Sequence, residues 1–68
     1  MPYKPGPADA VRYADLVRDR NNPRLSARME VDDWFADLYG WPLTEPQARR
    51  RDEFLRLVLA NLDPKATS

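Results

Sequence analysis

The chain contains no histidine and no cysteine, and only two of its 68 residues are serine. Histidine is the base that titrates near neutral pH, and cysteine is the most readily activated nucleophile. Their absence excludes a Cys-His or Ser-His centre, a thiolate or imidazole zinc site, and any disulfide. No apolar run approaches the ~20 residues needed to cross a bilayer. Met1 to Pro7 lack the apolar stretch of a secretory leader, so a cytoplasmic location without a membrane partner is expected. Neither sign of charge is in excess, because eleven basic residues balance eleven acidic ones. That balance argues against non-specific nucleic-acid binding, which needs many phosphate contacts from a basic surface.

What remains is arginine, aspartate, proline and apolar residues, including Trp34 and Trp41. Such an inventory suits recognition of a surface better than a reaction, and the expectation is a non-enzyme without cofactor or metal. Nine arginines against two lysines, with no isoleucine, are what a GC-rich bacterial or phage genome tends to encode. The length allows one domain with a small core. Below about 70–80 residues such a core rarely supplies more than ~3–5 kcal/mol without a disulfide, a metal or a partner. Homodimerisation, or docking on a larger protein, is therefore the expected source of further stability.

Proline and glycine divide the chain. Met1-Pro2-Tyr3-Lys4-Pro5-Gly6 reads as an extended polyproline-like arm over 1–6, with Tyr3 as a candidate anchor for a partner. Pro7 suits the first turn of a helix over 7–20, whose inner face carries Ala10, Tyr13, Ala14 and Val17. Asn21-Asn22-Pro23 stops it. Residues 24–31 alternate apolar and polar, the period of a strand, and a lone strand would need a second copy, as in ribbon-helix-helix dimers. Leu, Ala, Met and Arg are good helix formers, however, and Asn22-Pro23 resembles a cap followed by a first-turn proline. The favoured reading is a helix over 23–39. Ala27, Val31, Trp34, Phe35, Leu38 and Tyr39 form its apolar face, while Leu25 and Met29 point elsewhere. Either this helix breaks near Asp32, or it is buried on two sides.

Gly40 suits a C-terminal cap, and Trp41-Pro42 prevents continuation. Thr44-Glu45-Pro46-Gln47 has the spacing of a capping box, with Leu43 and Ala48 as a hydrophobic staple. It opens a third helix over 45–62. The domain should thus span 7–63, with a loose polar tail at 64–68, and the fold class should be all-α with three helices. On the third helix Phe54, Leu55, Val58, Leu59 and Leu62 span about 140°, and Leu57 widens the arc to about 200°. A one-sided helix needs only a little over 100°. Leu57 is accordingly a candidate contact with a second chain.

Three further clusters invite a function. Arg49-Arg50-Arg51, with Arg56, forms the basic cluster, and Arg49 and Arg50 are candidates for contact with a protein or with DNA. Phe35, Ala36, Tyr39, Gly40 and Thr44 match a helix-turn-helix pattern in part. Trp41-Pro42-Leu43 makes that turn long, and Arg51 stands where an apolar residue belongs. Glu30, Asp33 and Asp37 line one side of the second helix and suit docking on a basic partner better than metal binding, since one rigid helix leaves most of a cation's coordination unfilled. Tyr39 and Trp41, at the turn, are candidate exposed anchors, because such residues dominate binding hot spots. The expected function is a non-catalytic protein-protein interaction module: an accessory subunit, or a phage-type inhibitor of a bacterial protein. The alternative is a small DNA-binding regulator.

Overall fold

The computed structural model describes residues 5–62, and they form a three-helix all-α domain. Helix α1 spans Pro7–Val17, α2 Pro23–Tyr39 and α3 Glu45–Leu62. Residues 1–4, with Tyr3, and 63–68 lie outside the described residues. Five-residue connections at 18–22 and 40–44 turn the chain back each time, giving an up-down-up bundle.

Each helix starts where its own side chains satisfy the first backbone donors. At α1 the Gly6 N–H donates to Asp9 Oδ2 at 3.0 Å, while the Asp9 and Ala10 N–H groups donate to the Gly6 carbonyl. Asp9 is only 6% exposed, so this bond accompanies a carboxylate taken out of water. At α2 the Asn22 side chain accepts from the Leu25 N–H at 3.3 Å, with Pro23 in the first turn. At α3 the expected box closes in both directions: Thr44 N–H to Gln47 Oε1 at 3.0 Å, and Gln47 N–H to Thr44 Oγ1 at 3.4 Å.

The ends are less uniform. Helix α1 stops at Val17, three residues before the expected Arg20, and the Arg20 N–H closes a turn on the Val17 carbonyl. Val17 is the last residue of α1 that reaches the core. Beyond it the polar run 18–22 has no apolar side chain to hold another helical turn. Arg18 ties this end to α3 by donating to the Asn61 carbonyl at 3.0 Å. Helix α2 ends at Gly40, whose N–H donates to the Ala36 carbonyl at 2.8 Å and whose φ of +86° disfavours any residue with a Cβ. The Trp41–Pro42 peptide is cis.

Residues 24–31 are helical, so the strand required by a ribbon-helix-helix dimer does not form. Nor does α2 break at Asp32. It continues, and Asp32 meets Arg51 of α3 at 3.4 Å. Ala27, Val31 and Phe35, spaced by four, form its buried line. They meet Ala10, Ala14 and Val17 of α1 and Phe54 and Val58 of α3. The two alanines let α1 approach closely, and larger side chains from the other helices fill the interior. Phe54 stands at the junction: its ring lies 6.1 Å from Tyr13, 5.4 Å from Trp34 and 5.9 Å from Phe35.

Truncating a buried phenylalanine costs about 3–5 kcal/mol, as much as a core of this size supplies. Phe54→Ala is expected to abolish the helical far-UV circular dichroism signal at 25 °C. Thr44→Ala removes only half a cap and should cost about 1 kcal/mol, lowering the melting temperature by roughly 4–8 °C. A folded Phe54→Ala protein would show that the aromatic junction is not what closes the bundle.

Candidate functional site

The helical period places Asp9, Arg12, Tyr13 and Leu16 along one side of α1, and Glu30 and Trp34 one turn apart on α2. Antiparallel packing of the two helices sets these rows face to face. With Asp15 they line an open groove of about 690 Å³. The Tyr13 and Trp34 ring centroids are 5.0 Å apart, tilted by 33°. Both rings also pack on Phe54, so the core fixes their placement.

The groove is acidic. Burial pushes the Tyr13 phenol above its ordinary pKa of 10.0, and the nearby Glu30 carboxylate pushes it further; Asp9 and Asp37 add to this, against an opposing effect of Arg12. Asp15 and Glu30 are held by this chain's own arginines, Arg18 at 2.8 Å and Arg20 at 3.2 Å. The expected carboxylate stripe is therefore divided: Glu30 lines the groove, the charge of Asp37 is felt at Tyr13, and Asp33 is exposed. Among the described residues no group of three or more carboxylates is placed to hold a metal ion.

Two of the four arginines of the basic cluster pair with neighbouring carboxylates. Arg49 pairs with Glu45 at 3.0 Å, and Arg51 with Asp32 and with Asp52 at 3.2 Å. Arg50 borders a smaller hollow of about 340 Å³, shared with Pro5, Pro7, Glu53 and Leu57.

The apolar candidates separate by exposure. Trp41 is 73% exposed, whereas Tyr39, four residues after Phe35 on the same helical face, is half-buried with its ring 5.7 Å from that of Phe35. The expectation of two exposed aromatic anchors is corrected to one. Leu57 is 45% exposed, at the edge of the wide α3 arc. Leu25 and Met29, 53% and 58% exposed, lie one turn apart on α2, turned away from the Ala27–Val31–Phe35 line. Helix α2 is thus apolar on two sides but covered on one.

The groove was not foreseen as a unit. Tyr13 and Trp34 read as core and Glu30 as part of an outward stripe, because helical period does not reveal which flanks two helices turn toward each other. Asp9 carried a usable signal, three residues beyond an extended glycine and just inside a proline-started helix, where an N-terminal return bond belongs. Comparison with protein-family models, with curated proteins and with solved structures finds no match. No helix of the described residues is long and apolar enough to cross a membrane.

The raised Tyr13 pKa has a measurable consequence. The folded chain binds this proton more tightly than the unfolded chain, so its stabilising contribution is full below pH 10 and is lost as pH rises through the folded value. The phenolate absorbance lost on Tyr13→Phe substitution should titrate above pH 10. A midpoint at or below 10 would remove the case for an acidic, partly dry groove.

Proposed function

We propose that this protein is a non-catalytic protein-binding module that works as a homodimer or docked on a larger protein. The observation that carries the reading is the apolar surface the bundle leaves outside. Among the described residues Val11, Leu16, Leu25, Met29, Trp41 and Leu57 are exposed, beside a core of eight residues, three of them alanines. Isolated apolar residues on a surface are ordinary. Here, however, Leu25 and Met29 adjoin on one face, and a tryptophan is the most exposed of the six. Burying one leucine is worth roughly 1.5–3 kcal/mol, a large fraction of what so small a core supplies. Association through these side chains would therefore change the stability of the chain substantially.

The absence of histidine and cysteine from the sequence supports a role without chemistry. The balance of eleven basic against eleven acidic residues favours a protein partner over DNA, which rewards an excess of basic charge.

Light scattering on the purified chain, with Leu57→Glu and Trp41→Ala beside the wild type, tests the proposal. The expected outcome is a homodimer that Leu57→Glu dissociates with the helical signal intact. If the chain is monomeric, the expected outcome is capture of one protein from nuclease-treated bacterial lysate, reduced at least about tenfold by Trp41→Ala, the size of a hot-spot loss. A stable monomer that captures nothing, or whose binding disappears with nuclease, overturns the reading.

A further inference from the structure

We propose that the groove between α1 and α2 receives a lysine or arginine side chain from a protein partner, its cation seated against the Tyr13 and Trp34 rings between Glu30 and Asp15. This rests on the reading of the chain as a protein-binding module and names the chemistry of what it binds. Three features at one place support it. The floor is a pair of aromatic rings 5.0 Å apart, and ring faces attract cations. Of the four charged residues that line the walls among the described residues, Asp9, Asp15 and Glu30 are acidic and Arg12 is basic, so the lining favours a cation, with Arg18 and Arg20 competing for Asp15 and Glu30 from the rim. Leu16 lies on the same wall, where the aliphatic stem of a long basic side chain can pack.

The chain's own arginines already use this chemistry at the rim. Arg20 reaches Glu30 and Arg18 reaches Asp15, with the side chains of both pairs substantially solvent-accessible. Ion pairs of that kind are weakly held, and an incoming guanidinium can exchange with them. At about 690 Å³ the groove is larger than one side chain and leaves room for the peptide segment that carries it. Arg12 is the one wall residue that opposes the ligand, so its removal should strengthen binding, an outcome opposite to that of an ordinary contact deletion.

The chain has two tryptophans, Trp34 in the groove and Trp41 away from it, so the two indole N–H resonances form an internal control. The experiment titrates 15N-labelled full-length protein with the peptide acetyl-Gly-Arg-Gly-Arg-Gly-amide, and with the same peptide carrying glutamine for arginine. The arginine peptide is expected to shift the Trp34 resonance and leave Trp41 in place, and the glutamine peptide to shift neither. Glu30→Gln and Asp15→Asn should each weaken binding by roughly threefold or more, and Arg12→Gln should strengthen it by a similar factor. Raising salt from about 0.05 to about 0.5 M should weaken it further.

Equal response to both peptides, no response at Trp34, or no effect of Glu30→Gln and Arg12→Gln overturns the proposal. A spermidine response at lower concentration than the peptide response assigns the groove to a free polyamine and overturns it too. Leu57→Glu protein should bind the peptide as the wild type does. Loss of peptide binding with an intact dimer thus counts against the groove alone, and peptide binding by a chain that neither dimerises nor captures a protein counts against the module alone.

Discussion

The arrangement depends on one ring. Phe54 of α3 touches Tyr13 of α1 and both Trp34 and Phe35 of α2, so a single side chain joins all three helices at the middle of the bundle. Aromatic rings bury more area than any other side chain and hold preferred edge-to-face geometry. In a chain without disulfide or metal, such a cluster takes over the role of a staple. The alanines of α1 follow from it: the interior is filled by rings from the other two helices, and Ala10 and Ala14 leave them room. The same cluster sets the groove, because Tyr13 and Trp34 are at once its floor and two of the rings packed on Phe54.

Much of the fold was legible because its boundaries are written in residues with few conformational choices. Pro7, Asn22-Pro23, Gly40 and the Thr44–Gln47 pair each act within one helical turn, so no tertiary information was needed to place them. The end of α1 was misplaced because Arg18, Asp19 and Arg20 neither forbid a helix nor reward one. The core decides there, and its last α1 contact is Val17. The site was less legible for a related reason. Periodicity gives the angle of a side chain about its own helix, not the azimuth at which two helices meet. Glu30, Asp33 and Asp37 therefore read as one stripe along the second helix, although the charges of Glu30 and Asp37 reach Tyr13 of α1. For Tyr39 the period was the better guide, since its place on the Phe35 face outweighed its position at a turn.

The charges are distributed less evenly than the balanced total implies. Carboxylates collect along the α1–α2 groove, while Arg49 and Arg50 are exposed near the start of α3. Between them, Asp32 and Arg51 tie α2 to α3 where a helix-turn-helix would bury an apolar side chain. An ion pair at that position joins the two helices through partly exposed groups, whereas an apolar residue would add to the core.

Binding and stability are coupled in such a molecule. Tyr13 and Trp34 cannot present a groove unless Phe54 holds α1 against α2, so a ligand seated on them recognises the folded chain only. Any such ligand stabilises the fold by RT ln(1 + [L]/Kd), about 2.7 kcal/mol at a hundredfold excess over Kd. Set against the ~3–5 kcal/mol of a lone core this size, occupancy of one groove would shift the folding equilibrium by half or more of its whole range. The apolar residues outside the core act in the same direction when covered. On the proposed reading, a partner that covers these residues would stabilise the fold as it binds.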